Sequence, residues 1–307
     1  MKNVLVIHYS QSGQLTEIVN NIVSPLTSDA IQVDYHEIKM EQPFPFPWKE
    51  KDFYGAFPET YQQIPQKVKP ISLDILNKKY DLIILGYQIW YLTPSIPINS
   101  FLNTTDAKKI LKNTPVITVI GCRNMWIMAQ EKMKKKLLDL EANLVGNIAL
   151  VDRHINHISV ITIAKWMMTG KKERYLGIFP KPGVSQKDID EAGKFGSILL
   201  KHLKENNFNN LQDAFLHANA VKIKPFLVLT DKRANILFSK WANLIQSKGN
   251  KNSKKRAFWV KFFSYYLLFA IWIIAPIVFI LFLLTYVFSI HKIKKDRVYY
   301  SSVKYIE

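Results

Sequence analysis

The chain has 307 residues, of which 48% are apolar, a single cysteine and a formal charge of +18. That apolar content excludes disorder over most of the chain, and the lone Cys122 excludes an intramolecular disulfide or a multi-cysteine metal site. The charge is not spread over a folded surface as nucleic-acid binding requires: eleven Lys/Arg stand against one acid between residues 222 and 261, and five against two between 291 and 307.

In chain order, residues 4–8 read as a short apolar strand, followed by polar residues 10–13 and a helix over 16–26. Residues 32–36 fit a second strand. Residues 43–57 then crowd Phe44, Phe46, Trp48, Phe53, Tyr54 and Phe57 among three prolines. This stretch is either an apolar lid or pocket wall, or a loop covering one sheet edge. Residues 81–86 and 115–121 are continuous apolar runs bounded by turn signals, the pattern of strands buried on both faces of a parallel sheet. A helix follows over 126–140, and a fifth strand over 144–151. Residues 153–182, with His154, His157 and Trp166, form an insertion that overhangs the ligand end of the sheet, in the position of a substrate lid. The last helix, 185–206, has Asp188, Asp190 and Glu191 early and Lys201 and Lys204 late, as the helix dipole prefers. The alternation predicts an α/β fold with a doubly wound five-stranded parallel sheet over residues 1–206.

The remainder divides into a basic, partly amphipathic linker (207–261), an apolar run (262–290) and a basic tail (291–307). The run holds 29 residues without Asp, Glu, Lys, Arg or His. As a straight helix it would extend about 44 Å, against a bilayer core of about 30 Å, so we expect a membrane segment that tilts or kinks at Pro276. The heavier cationic flank precedes it, which places the large domain on the cytoplasmic face. The tail is cationic too, so a hairpin turning at Pro276 stands beside a single span. Leu237, Phe238, Trp241, Leu244 and Ile245 follow helical spacing, either on the membrane surface or docked on the domain. No secretory signal is expected, because residues 1–7 run into a polar loop.

Three loops at successive strand ends carry the candidate chemistry. The first, from His8 to Thr16, offers hydroxyls at Ser10, Ser12 and Thr16 and close backbone approach at Gly13. At a helix N-terminus that is a phosphate cradle, while the absence of a GK[ST] or GxGxxG pattern argues against a triphosphate loop or a dinucleotide fingerprint. The second runs from Gly86 through Tyr87, Gln88, Ile89, Trp90 and Tyr91, and the third is GCRNMW, residues 121–126.

With three such loops, residues 1–206 resemble the flavodoxin-like superfamily. The resemblance implies FMN as cofactor, with Ser10, Ser12, Gly13, Gln14, Leu15 and Thr16 at the phosphate, Leu15 lengthening the usual turn. It also implies Gln88, Ile89, Trp90 and Tyr91 beside the isoalloxazine, and Gly121, Cys122, Arg123 and Asn124 closing its other edge. The opening KNVLVIHYSQSGQLTEI, the GCRNMW loop, the GIFPKPG segment (177–183) and the charged C-terminal apolar segment further resemble the dialkylresorcinol biosynthesis proteins of the DarA type, also called condensing enzymes. That resemblance implies a flavin-dependent aromatase that oxidises a dialkyl cyclohexanedione made by a ketosynthase. Condensation itself fits poorly, because Cys122 lies in a flavin loop without ketosynthase features. Candidate bases are His8, His154 and His157, with Tyr87 or Tyr91 able to hydrogen-bond the substrate carbonyl; for each histidine a structural role is the competing reading. The pair His154 and His157 lacks a third metal ligand, so no metal is expected. Arg123 would meet a substrate carboxylate, the flavin's pyrimidine oxygens or a surface acid.

The expected partners are therefore a lipophilic small molecule, membrane lipid and a ketosynthase, with no nucleic acid; homodimers are common in this superfamily. A membrane-associated quinone reductase, a protoporphyrinogen-type oxidase, a non-catalytic FMN electron carrier and a cofactor-free scaffold are the alternatives.

Overall fold

The computed structural model describes residues 1–27 and 30–305. Five parallel strands, β1 (Lys2–His8), β2 (Ile31–Glu37), β3 (Leu82–Tyr87), β4 (Pro115–Cys122) and β5 (Asn143–Val151), form one sheet in the order β2-β1-β3-β4-β5. This is the flavodoxin-like doubly wound order, whose ligand crevice lies where the winding reverses, between β1 and β3. His8 pairs with Gly86, Tyr87 with Ile120 and Cys122 with Val151, so the carboxyl ends of the central strands finish level.

Alternation along β1 sends Val4 and Val6 to one face and Leu5 and Ile7 to the other. The first face packs under α1 (Gln14–Val23) through Leu15, Ile18 and Ile22, and under the last helix of the domain through Phe195 and Leu199. The second face packs under helices Ile96–Leu102 and Thr105–Leu111 and under α2 (Ile127–Asp139) through Met133 and Leu137. Two predicted elements differ in detail. The helix expected over 16–26 starts two residues earlier, at Gln14, and ends in a 3-10 turn at Ser24–Leu26. The helix expected over 185–206 is divided into a short turn, Gln186–Asp190, and a longer helix, Gly193–Glu205, with the break just ahead of the glycines that cross α1. The insertion contains a fourteen-residue helix, α3 (Asn156–Thr169); Gly193–Glu205 is α4.

Beyond the domain, α5 (Pro225–Gln246) buries Val228, Asp231, Asn235, Phe238, Ala242 and Ile245 at helical spacing, so its apolar stripe docks on protein. From Lys254 to Ser301 the chain is helical for 48 residues and is long and apolar enough to cross a membrane. It comprises α6 (Lys254–Phe269), a π turn (Ala270–Ile274) and α7 (Ala275–Ser301). Both ends are fastened to the domain. At the start, Phe57 and Phe263 stack with centroids 3.9 Å apart, and Arg256 forms a buried ion pair with Glu59 at 2.6 Å. At the far end Tyr300 is buried, Lys232 meets Asp296 at 3.3 Å, and Lys134 Nζ donates to the Lys304 carbonyl at 3.0 Å.

Asp231 joins α5 to the sheet by capping α2: its Oδ2 accepts from the Met128 N–H at 3.0 Å, and its Oδ1 accepts from Asn235 Nδ2 at 3.0 Å. Burial outweighs these bonds and pushes its carboxyl up from 3.8 to about 6. The folded state therefore holds the proton over a pH range in which the unfolded chain has released it. Stability from this group is highest below about 4 and falls as pH rises to about 6, by about 3 kcal/mol in all. Asp231→Asn should remove that step, so denaturant midpoints of variant and parent should diverge in the variant's favour between pH 4 and pH 7. Parallel curves would show that the carboxyl ionises freely.

Candidate active site

A cavity of about 360 Å³ opens at the carboxyl ends of β1, β3 and β4. Its floor is the loop after β1. Gly13 holds φ +82° at the start of α1 and has no side chain to cap it; of the first-turn N–H groups the Leu15 one is taken by Ser10, while those of Gln14 and Thr16 have no partner among the described residues and face a ligand. Ser12 and Gln14 line the cavity there. Ser10 accepts the Leu15 N–H at 3.1 Å through its Oγ and so shapes the turn from behind. Gln14 forms a reciprocal pair with Val184, donating to its carbonyl at 3.2 Å and accepting its N–H at 3.0 Å. Its side chain thus ties the first loop to residues 183–184 instead of standing free.

Gln88, Ile89, Trp90 and Tyr91 form one wall, and the Gln88 Oε1 accepts the Gln11 N–H at 3.2 Å. Trp90 meets Trp48 edge-to-face at 5.4 Å and Phe44 at 5.0 Å. The proline-rich segment is fixed over the cavity by Gln11 Nε2 to the Pro45 carbonyl at 2.7 Å and by the Trp48 N–H to the Met167 carbonyl at 2.8 Å. Of the two readings of residues 43–57, the pocket wall is the observed one, with Trp48, Phe53 and Tyr54 lining the cavity.

Gly121, Cys122, Arg123 and Asn124 close the opposite side. Asn156 organises this loop by accepting from Arg123 Nη1 and from Asn124 Nδ2, both at 2.8 Å. Burial lowers the pKa of the Arg123 guanidinium, against the raising influence of Asp152. Burial also pushes the Cys122 thiol up, which keeps it protonated. Arg123 is the one charged side chain lining the cavity among the described residues. Asn124 Oδ1 and Trp48 Nε1 are buried without a hydrogen-bond partner among the described residues. A helix start with two free N–H groups, apolar walls with flat aromatic faces and two unpartnered polar atoms make a donor set that fits a planar heterocycle carrying a phosphate arm.

The candidate bases lie elsewhere. His8 is buried against α1, with Nε2 3.1 Å from Thr16 Oγ1, and burial lowers its pKa against a raising influence from Glu37. Thr16 is thereby held behind the loop. Tyr87 is fully buried on the other side of the sheet and donates to Gln130 Oε1 at 2.6 Å. His154 Nδ1 lies 2.6 Å from Asp152 Oδ1. His157 Nε2 lies 3.1 Å from the Ile271 carbonyl, with its ring 4.9 Å from Trp272. None of these four lines the cavity, whereas Tyr91 does, donating its hydroxyl to the Phe53 carbonyl. No cluster of three or more metal-ligating side chains occurs among the described residues.

No protein-family model and no curated protein matches this chain. Solved structures do. A flavoprotein in complex with FMN from Lactobacillus acidophilus NCFM is 19% identical, with 48% of this chain and 92% of that one covered and a TM-score of 0.37. A flavodoxin from the domain Archaea is 14% identical (66% and 99% covered, TM-score 0.37), and oxidised flavodoxin 1 from Bacillus cereus is 15% identical (66% and 99%, TM-score 0.36). The fold rests on the sheet order itself, which those neighbours accompany.

Several cavity residues escaped the sequence reading. Val160, Ile163 and Met167 come from α3, Gly183 from the loop that Gln14 holds, and Leu267, Leu268 and Ile271 from α6 and the π turn. A Cβ on Gly183, which has φ +82°, would sit 2.6 Å from Gln14 Oε1, so a glycine there was the available signal.

Proposed function

We propose that this protein is a membrane-attached, FMN-dependent oxidoreductase that aromatises a dialkyl cyclohexanedione to a dialkylresorcinol, after a ketosynthase has made the ring. The observation that carries the reading is the composition of the cavity. A helix start with two free N–H groups, aromatic walls and one half-buried cation meet at the sheet's ligand end, and a helix of membrane-spanning length supplies part of the wall.

FMN, when bound, would accept the hydride; the substrate loses a proton as well, and the ring becomes aromatic. The first loop would hold the phosphate through α1's free N–H groups and Ser12. Trp90 and Trp48 would face the ring system, and the unpartnered Asn124 Oδ1 would receive a ring N–H. A cyclic 1,3-dione is a strong carbon acid whose enolate forms readily near neutral pH. Arg123 would stabilise that enolate, so the histidines are free to serve structure. Apolar surfaces of α3 and α6 would take the alkyl chains. A quinone reductase shares one supporting observation, the lack of Asp, Glu and His among the described cavity residues, because reducing a quinone needs no general base on the protein.

The test is the visible spectrum of detergent-purified protein before and after adding FMN and desalting. A retained flavin band, bleached anaerobically by a dialkyl cyclohexanedione, is the expected result. A folded protein that stays colourless overturns the proposal, and a flavin that the dione does not bleach but that, once reduced by dithionite, is reoxidised by a quinone favours the quinone reductase. Trp90→Ala should weaken FMN binding about tenfold through the loss of about 1.5 kcal/mol of ring contact, read by flavin fluorescence titration.

A further inference from the structure

We infer that the cavity is reached from the lipid phase, through a lateral opening between α3 and α6, by a molecule with a long alkyl chain. The inference rests on the membrane-attached reading above and adds the route by which its substrate arrives.

The first observation is where the cavity meets the outside. Among its described lining residues only Ala164 of α3 and Leu268 of α6 are exposed; the others are buried or half-buried. Both are apolar, and around them the wall is Val160, Ile163, Met167, Leu267 and Ile271. A water-soluble substrate would meet no polar group at this mouth.

The second observation is what surrounds the mouth. Phe258, Phe262, Tyr265, Phe269, Trp272, Ile280, Leu284 and Val287 are exposed at helical spacing along α6, the π turn and α7. The opposite face runs inward at Arg256, Phe263, Ile271, Phe282, Asp296 and Tyr300, each buried or half-buried. The helix therefore packs on the domain at these points, is exposed on every side over residues 283–288, and presents a long apolar surface outward. Exposed apolar surface of this extent calls for a cover. The stripe has no charge between residues 262 and 290 and is flanked by Lys254, Lys255 and Lys261 before it and Lys292, Lys294 and Lys295 after it. That pattern suits acyl chains bordered by anionic headgroups. Leu268 belongs to both the stripe and the cavity, so lipid and cavity share a boundary.

The third observation is how the edge of the opening is held. Pro276 lacks an N–H, and in the π turn's i→i−5 bonding its missing partner would be the Ile271 carbonyl. That carbonyl is taken by His157 Nε2 of α3 at 3.1 Å. This hydrogen bond thus ties α3 to the π turn at one end of the opening.

The test uses full-length Ala164→Cys and Leu268→Cys proteins in phosphatidylcholine and phosphatidylglycerol vesicles, with Ser197→Cys on α4 as an exposed control. Each is labelled with N-dodecylmaleimide dissolved in the bilayer or with a charged, membrane-impermeant maleimide, and modification is read by mass. Cys122, half-buried with its thiol pKa raised by desolvation, is a background shared by all three and is measured on the parent protein with each reagent. The ratio of dodecyl to charged labelling at 164 and 268 should exceed that at 197 by about tenfold or more, since the bilayer concentrates the alkyl reagent. Equal ratios at the three positions would overturn the inference. A colourless preparation that keeps the tenfold preference would remove the flavin reading while the opening stands.

Discussion

Arg256→Ala should destabilise the protein by about 3–5 kcal/mol, because it leaves the Glu59 carboxylate buried and alone. The guanidinium reaches both oxygens of Glu59, at 2.6 and 2.7 Å, and each side chain of the pair is more than nine-tenths buried. The pair fastens α6 to the short helix Phe57–Tyr61, immediately beside the stack of Phe57 on Phe263. Its loss should free the start of α6 before the sheet unfolds. Limited proteolysis should then cut near residues 247–253 while the core resists. The double change Glu59→Leu with Arg256→Met should recover most of the loss, since an apolar pair of similar volume escapes the desolvation cost. Denaturant midpoints in one detergent measure both effects. A single variant within 1 kcal/mol of the parent would show the pair to be solvated.

Gly196→Ala is expected to cost about 3 kcal/mol or more and to lower the yield of folded protein. A Cβ at that position would stand 1.9 Å from the Ile22 carbonyl oxygen, and the obstacle is backbone, which cannot swing aside as a side chain can. Relief requires α1 and α4 to separate, which disturbs the buried face formed by Ile18, Ile22, Phe195 and Leu199. Because α1 begins at the first cavity loop, flavin binding should weaken together with stability. Gly55→Ala is the control: nothing lies within 4 Å of its added Cβ, so the change should stay within about 0.5 kcal/mol of the parent. Thermal midpoints of the two variants should differ accordingly, and similar midpoints would show that the helices can part without loss.

The central strands β1, β3 and β4 were legible because they are buried on both faces and so read as unbroken apolar runs, while the edge strand β2 is mostly half-exposed. Their loops were legible because hydroxyls, glycines and aromatic residues gather where strand patterns stop. Side-chain direction was the weaker point. His8 and Tyr87 stand next to the cavity in sequence, yet strand alternation turns His8 toward α1 with Val4 and Val6, and Tyr87 toward the opposite core with Ile83 and Leu85. Counting residues along β1 and β3 would have set both aside. Gln14 shows a different limit, since its partner Val184 is 170 residues away and no local pattern announces it. The walls supplied by α3 and α6 are likewise tertiary. Their residues read as an insertion and as an apolar helix, and only packing brings Ala164 and Leu268 to one opening.

The double fastening of the apolar helix has a mechanical consequence. On the membrane-attached reading, a helix joined by a hinge at one end would relieve a mismatch with bilayer thickness by tilting. This helix is held near Arg256, again at Ile271 and again at Tyr300, so it cannot swing without carrying the domain with it. A load on the helix is instead passed to the domain, through the same segment that walls the cavity.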